Sequence, residues 1–135
     1  MNNNYKGNRW YKCDLHLHTP ASECFEDKSI TPQQFLDVVI ENDIKCIAIT
    51  DHNTAGWIDN IRDVAKEKDI VVFPGVEVTC SDSKVHLLIL FEIDYPKIKI
   101  EDFLVKINID RELFGTTDAH SNKSISEVAK VANEV

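Results

Sequence analysis

The chain has 135 residues, of which 43% are hydrophobic, with four glycines and four prolines. This composition fits one domain, residues 1–135, with no obvious linker. The formal net charge of −8 argues against a basic surface that follows nucleic-acid phosphates. No apolar stretch reaches the roughly 18 residues of a membrane span, and the first residues lack the apolar core of a secretory signal. We therefore expect a cytoplasmic protein without a membrane partner.

Strands and helices alternate along the first half of the chain. A strand is expected at about residues 11–16. Thr31, Pro32 and Gln34 then supply an N-cap, a proline at the first helical position and a capping-box glutamine, which predict a helix at residues 32–41. A second strand, residues 45–50, leads into a helix at about residues 55–68.

The second half is expected to add two strands and a terminal helix. The strands cover about residues 70–73 and 85–91, whereas residues 102–107 receive no assignment. Ser124 and Glu127 form a capping box that opens the last helix. Three valines of this helix are expected to face the core: Val128, Val131 and Val135.

This alternation predicts an α/β fold with a mainly parallel sheet and right-handed crossovers. A closed (β/α) barrel needs about 250 residues, and this chain stops where a further strand is due. We therefore expect the N-terminal half of a distorted TIM-like barrel. Either the chain is a fragment of a larger protein, or it is a shortened domain whose open sheet edge is covered by an oligomeric partner.

The first candidate site residues are His16 and His18. A strand alternates its side chains with a period of two, so both imidazoles point to one side while Leu15 and Leu17 point to the other. Neutral imidazole is the commonest metal ligand, and a rigid strand holds two such ligands with little entropy left to lose. On its own, the His-x-His pattern is equally typical of a solvated edge strand.

Further polar residues follow the ends of later apolar runs. Asp51 and His52 end one run, and Glu77 ends the next. In α/β proteins, ligands bind at the C-terminal ends of the strands. Three more residues belong to this candidate set: His86, Asp118 and His120. Four such clusters in one chain favour a metal site over five unrelated histidines.

The four cysteines lack the CxxC spacing of a zinc or redox motif. Cys13 and Cys46 fall within predicted buried strands, where we expect reduced thiols that pack as small apolar side chains. Cys24 differs because it lies in the polar loop after His18. In that loop, either Glu23 or Cys24 could reach a metal.

Four segments of the chain together resemble the successive motifs of the PHP (polymerase and histidinol phosphatase) superfamily: residues 14–19, 49–54, 74–79 and 86–87. Residues 9–12 and 79–91 are most similar to the N-terminal PHP part of TrlF-like proteins, which carry an AAA-like ATPase region. The resemblance implies a distorted (β/α)7 barrel that holds two or three ions of zinc, manganese or iron and hydrolyses phosphate esters. An attached ATPase region is the partner it implies.

The resemblance also implies roles for individual residues. His16 and His18 match paired metal ligands, His52 matches a third ligand, and Glu77 matches a carboxylate that bridges two metals. His86 matches a histidine often found at such sites.

Asp118 and His120 look like the Asp-x-His pair that closes the site in full-length members. The strand that usually precedes this pair, with a histidine of its own, is not visible between residues 91 and 115. Asp118 and His120 therefore either close the site or lie in a loop before the last helix.

The chemistry implied is metal-assisted hydrolysis of a phosphoester, with a phosphorylated small molecule or a nucleic-acid end as substrate. Carboxylates and imidazoles together suit Zn²⁺, Mn²⁺ or Fe²⁺ better than Ca²⁺. The candidate catalytic residues are Asp51, Glu77 and His86. Asp51 is expected either to orient a histidine ligand or to bind metal itself.

Two other functions stay open beside the phosphoesterase. One is a noncatalytic metal-binding module that regulates or stabilises an attached ATPase region. The other is an amidohydrolase-type enzyme, which also begins with His-x-His on a first strand. The motifs at residues 50–52 and 75–77 fit the phosphoesterase pattern better than the amidohydrolase one.

Overall fold

A computed structural model describes residues 9–83 and 85–135. Four strands are β1 (Lys12–Leu17), β2 (Ile44–Ile49), β3 (Val71–Thr79) and β4 (His86–Leu90). Four α-helices are α1 (Pro32–Glu41), α2 (Ile58–Ala65), α3 (Lys97–Lys106) and α4 (Ile125–Ala132), and a 3₁₀ turn spans Arg111–Leu113. Within these described residues, no helix has both the length and the apolar character needed to cross a membrane.

The strands form one curled sheet in the order β1-β2-β3-β4, which makes half of a barrel. The first two pairings are parallel, as predicted, with α1 and α2 as the crossovers. The third pairing is antiparallel. A parallel return needs a crossover of about a dozen residues or more, and residues 80–85 are too few for it. The α/β half-barrel expectation is therefore confirmed, with a hairpin as its last unit.

Helices cover one face of the sheet. Side chains of β2 and β3 that alternate toward this face are fully or almost fully buried, and apolar residues from all four helices pack with them. Burial of these side chains is the main stabilising contribution to the fold. Representative members of the core are Leu36, Ile47, Ile49, Ile61, Val76, Val78, Phe103 and Val128.

The opposite, concave face of the sheet stays partly open to solvent. Val71, Leu88 and Leu90 on this face keep exposures between 36% and 42%. Cys13 pairs with Cys46 across β1 and β2, and Cys13 is exposed while Cys46 is half-buried. The prediction of a buried Cys13 was therefore wrong, because β1 is an edge strand and, among the residues that the structure describes, no layer covers this face.

The register of β1 shifts between Asp14 and Leu17, a stretch that contains His16. Asp14 pairs with Ile47 and Leu17 pairs with Ile49, so three steps along β1 match two steps along β2. The extra residue is a β-bulge, a feature that re-aims side chains near functional sites. Leu15 is 43% exposed, whereas Leu17, which simple alternation placed on the same side, is half-buried.

The helices follow local sequence signals to different degrees. Helix α1 has the predicted bounds, and its capping box is present between Thr31 and Gln34. The capping box of Ser124 and Glu127 likewise opens α4. Helix α2 is shorter than predicted at both ends. Helix α3 was not predicted, although its buried residues have helical spacing: Ile100, Phe103 and Leu104.

Candidate metal centre

The pairing with β3 continues beyond the end of β2 and brings His52 beside Glu77, which lies within β3. These two residues form an isolated parallel bridge. The Glu77 N–H donates to the Asp51 carbonyl at 3.0 Å, and the Asn53 N–H donates to the Glu77 carbonyl at 2.9 Å. Backbone register therefore fixes the position of a histidine and a carboxylate from separate strands.

The carboxyl end of β1 is tied to the same edge of the sheet. The Thr50 N–H donates to the Leu17 carbonyl at 2.8 Å. Next to it, Asp51 accepts hydrogen bonds from the Thr19 N–H and from the Thr19 hydroxyl, both at 2.6 Å. Since Thr19 directly follows His18, these bonds fix the backbone that carries the second histidine of the His-x-His pair.

His86 reaches this edge through the β3–β4 hairpin. The antiparallel register sets Thr79 opposite His86 and Glu77 opposite Leu88. Side chains two residues apart lie on the same face of a strand, so Glu77 and His86 share the concave face. The Nδ1 atom of His86 contacts the Oε1 atom of Glu77.

Glu77 lies at the centre of four imidazole rings. Its Oε2 atom is 2.9 Å from His16 Nε2, 3.0 Å from His18 Nε2 and 3.8 Å from His52 Nδ1. The Nε2 atoms of His16 and His18 are 3.3 Å apart. Glu77 itself is 2% exposed. We call these five residues, His16, His18, His52, Glu77 and His86, the Glu77 cluster.

Burial and charge set the protonation states of the cluster. Burial lowers the pKa of His18 and of His52, although the neighbouring Glu77 acts to raise both. Burial acts to raise the pKa of Glu77, but hydrogen bonds with His16 and His86 and the nearby rings outweigh it and lower this pKa. His18 and His52 thus favour the neutral form beside an ionised carboxylate. Metal ligands require these same states.

The spacing of the potential ligand atoms fits metal ions. Ligand atoms held at about 2.0–2.2 Å from one tetrahedral ion lie about 3.3–3.6 Å from each other, close to the separations around Glu77 Oε2. Two groups that include Glu77 have ligand atoms within 4.8 Å of one another, His16–His18–Glu77 and His52–Glu77–His86. Glu77 belongs to both groups, with its Oε2 atom toward His16 and His18 and its Oε1 atom toward His86, as a bridging carboxylate requires. Imidazole and carboxylate together suit zinc, manganese or iron.

Asp51 does not belong to either of these groups. It is fully buried, and burial raises its pKa to about 6, partly offset by the hydrogen bonds from Thr19. Both carboxylate oxygens are engaged with Thr19. Asp51 is therefore placed to position the loop that follows His18; its expected role, to orient a histidine ligand or to bind metal itself, stays a prediction.

Asp118 and His120 lie in the return segment, residues 115–121, which passes beside the site. Both residues are exposed, and neither belongs to a group of clustered ligand atoms in the described chain. The His120 Nδ1 atom is 3.2 Å from the Asp118 carbonyl oxygen. The structure therefore brings together the other five predicted ligands and leaves this pair apart; its closing role stays a prediction.

Backbone contacts hold the return segment against the site. The Gly115 N–H donates to the His52 carbonyl at 3.1 Å, and the Gly115 carbonyl accepts from the Glu23 N–H at 2.7 Å. Gly115 has a φ of 86°, and an added Cβ would collide with the Ala21 carbonyl oxygen. Only glycine fits this close approach without strain. Asn53 adds hydrogen bonds from its Nδ2 atom to the carbonyls of Thr116 and Ala119, at 3.0 and 3.2 Å.

A curled α/β half barrel with a carboxylate and four imidazoles at one edge of its sheet defines a class of metal-binding domain. Comparison with known proteins names the family: residues 14–114 match the PHP domain model, and the chain belongs to the PHP domain family. The chain spans between 8% and 60% of the lengths of the curated relatives that it matches.

Three similar proteins illustrate the family context. The chain is 26% identical over 150 residues to a 5'-3' exoribonuclease of Haemophilus influenzae, covering 91% of this chain and 53% of the relative. A solved structure described as a metal-dependent phosphoesterase of Bifidobacterium adolescentis has a TM-score of 0.52 and 22% identity, over 72% of this chain and 33% of that one. An amidohydrolase of Chromobacterium violaceum with bound sulfate has a TM-score of 0.55 and 27% identity, over 71% and 33%.

Proposed function

We propose that this chain holds divalent cations at the Glu77 cluster and forms the catalytic part of a metal-dependent phosphoesterase. One observation carries the proposal: a single buried carboxylate, Glu77, contacts imidazoles that arrive from β1, from β4 and from the loop after β2. The lowered pKa values of His18 and His52 favour neutral rings beside an ionised carboxylate, which are the states that metal ligands need.

The residues at the site have different roles in the proposed reaction. Glu77 presents one oxygen to the His16–His18 side and the other to the His86 side, so it can hold two ions close together. Bound cations supply Lewis acidity toward a phosphate oxygen and a coordinated water that ionises near neutral pH. Asp51 keeps His18 in place through Thr19.

We infer that the substrate is a nucleotide or a nucleic-acid end. The exoribonuclease relative supports this choice, because it acts on RNA as its name states. The chain's net charge of −8 repels phosphates unless cations receive them. A short phosphorylated end that meets the ions directly fits this charge better than a long duplex held by basic residues.

Release of p-nitrophenol from bis- and mono-p-nitrophenyl phosphate, with Mn²⁺ or Zn²⁺, tests the catalytic claim. We expect Glu77→Gln to lower the rate at least about 100-fold, since loss of a residue that merely orients a ligand already costs about 10- to 100-fold. The exposed Glu67 offers a matched control, because Glu67→Gln makes the same change of charge far from the cluster. Equal rates for wild type and Glu77→Gln would remove the claim.

A second function is a noncatalytic metal-binding module attached to a larger, ATPase-containing protein. The separation of Asp118 and His120 from the cluster favours it, because catalysis needs a complete ligand set while binding does not. The chain also spans only 53% of the exoribonuclease relative, so that relative contains a further region that this chain does not match. Stoichiometric metal binding without phosphoester turnover would support this module over the enzyme.

An amidohydrolase is the third function, favoured by the 27% identity to the Chromobacterium violaceum structure. The same protein preparation can be offered p-nitroacetanilide beside the phosphate esters. Cleavage of the anilide without cleavage of either phosphate ester would replace the phosphoesterase proposal.

A further inference from the structure

The loop after β1 brings Cys24 close to the metal centre. Ser22, which is fully buried, anchors this loop: its Oγ atom accepts from the His52 N–H at 2.7 Å and lies 3.3 Å from His18 Nδ1. The Phe25 N–H in turn donates to the Ser22 carbonyl at 3.1 Å. Hydrogen bonds thus fix the loop on either side of Cys24, and Ser22 holds it against both His18 and His52.

Cys24 completes a third group of ligand atoms. Its Sγ atom and one ring nitrogen each of His18 and His52 lie within 4.8 Å of one another. Thiolate and imidazole are the ligands that zinc takes in proteins. The group shares His18 and His52 with the Glu77 cluster and contains neither His16 nor His86.

His52 adds an independent reason to place an ion there. It is 7% exposed, and its ring nitrogens make no hydrogen bond with any residue that the structure describes. The nearest carboxylate oxygen, Glu77 Oε2, is 3.8 Å from Nδ1, beyond hydrogen-bonding distance. A ring nitrogen that no other group engages keeps its lone pair available. A metal ion in contact with the ring would accept that lone pair.

The neighbouring carboxylate is already engaged elsewhere. Glu23 accepts hydrogen bonds from the Thr117 N–H and hydroxyl at 3.2 and 3.3 Å, which attach the return segment to the loop. Of the two loop residues able to serve a metal, Cys24 is therefore the one whose side chain lies with the histidines.

We propose that the Cys24 thiolate is a metal ligand, and that Cys24 and His52 hold a zinc-class ion close to His18 and the Glu77 carboxylate. This inference rests on the proposed function in requiring that the Glu77 cluster bind metal. On binding, the thiol releases its proton to solvent and the sulfur donates a lone pair to the ion. No electron is transferred.

The thiolate determines which metal this position takes. Sulfur ligands select zinc and other soft or borderline ions, whereas oxygen ligands suit magnesium and manganese. We therefore expect the position to prefer zinc over manganese. Cys24→Asp should lower the ratio of zinc affinity to manganese affinity at least about tenfold. This is the lower limit of the affinity change seen when a residue that supports a metal ligand is replaced.

Alkylation by iodoacetamide, mapped by mass spectrometry, tests the ligation directly on the whole chain. Cys24 and Cys13 are both exposed, so both react in the presence of a chelator. With one or more equivalents of Zn²⁺, we expect Cys24 to be protected while Cys13 still reacts. His52→Gln should remove the protection. Equal labelling of Cys24 with and without bound zinc would overturn the inference.

Cobalt substitution supplies a second readout that loop closure alone does not produce. Thiolate ligation gives a near-ultraviolet sulfur-to-cobalt charge-transfer band. The band should be present in wild type and in Cys13→Ser, and absent in Cys24→Ser. If it persists in Cys24→Ser, or never appears although Co²⁺ binds, Cys24 is not a ligand.

The two proposals fail in different ways. If the visible cobalt bands are lost in Glu77→Gln but no sulfur band exists, the Glu77 cluster binds metal and the Cys24 inference alone falls. If neither zinc nor cobalt binds to the wild-type chain, both proposals fall together.

Discussion

The Glu77 cluster and the return segment contrast in how their polar residues are held. Residues of the cluster lie on strands or directly beyond them, where register fixes each position. Asp118 and His120 lie on a segment held mainly at Gly115, Asn53 and Glu23, and their side chains stay exposed. Backbone pairing thus brings ligands from distant parts of the chain together, while a loop that merely passes the site does not.

The strongest test of this contrast removes the centre of the cluster. We expect Glu77→Gln to weaken Zn²⁺ or Mn²⁺ binding more than about 100-fold, because it removes the bridging carboxylate and not just an orienting partner. Isothermal titration calorimetry measures the change, with Glu67→Gln as the control. An affinity within about threefold of wild type, a difference in binding free energy of under about 1 kcal/mol, would contradict the assignment of Glu77 as the bridging ligand.

The contact between Asp51 and Thr19, which joins the ends of β1 and β2, should make the free energy of unfolding depend on pH. Burial raises the pKa of Asp51 from 3.8 to about 6. Between these values the folded protein keeps a proton that the unfolded chain has released, so stability falls as the pH rises through this window and levels off above it. Over the whole window the free energy of unfolding should fall by about 3 kcal/mol, because each unit of pKa shift corresponds to about 1.4 kcal/mol.

Urea unfolding with chelator present, from pH 4 to 7, measures this pH dependence. Comparison of wild type with Asp51→Asn cancels the other titrating groups, and the stability difference should change in the stated window and direction. A difference that does not vary with pH would show that Asp51 titrates normally.

The anchor of the return segment is the next target. Gly115→Ala forces a side chain into a φ of 86° and against the Ala21 carbonyl. We expect a loss of about 1–3 kcal/mol in the free energy of unfolding. Gly56→Ala, at a position without positive φ, should cost less. Equal losses in the two variants would mean that the backbone conformation at Gly115 is not what holds the segment.

The smallest effect is expected at the exposed pair. His120→Gln should change metal affinity by less than about twofold, as for surface substitutions that alter stability by under about 0.5 kcal/mol. His86→Gln, the matched change within the Glu77 cluster, should weaken binding at least about tenfold. A large loss in His120→Gln would place His120 among the ligands and give the return segment the closing role predicted from the sequence.

Much of the fold could be predicted because its signals are local. The capping boxes at Thr31 and Ser124 begin helices where expected. The apolar run before Asp51 located the carboxyl end of β2 to within one residue, whereas β3 continues six residues past its predicted end at residue 73 and contains Glu77. Helix α3 was missed because charged residues flank its three buried apolar ones.

The remaining features depend on pairings between distant segments. The bulge in β1 is visible only against its partner, through Asp14 and Leu17. The antiparallel direction of β4 follows from the short link before His86, and it makes His86 a neighbour of Glu77. Whether Glu23 or Cys24 faces the metal depends on the contact of Glu23 with Thr117, far along the chain. No local pattern encodes such a contact.

Anomalous diffraction from crystals grown with Zn²⁺ or Mn²⁺ tests the central claim most directly. The account predicts a metal peak between Glu77 Oε2 and the Nε2 atoms of His16 and His18, at about 2.0–2.2 Å from each. A well-ordered crystal with excess metal and no anomalous peak within coordination distance of the Glu77 carboxylate would contradict it.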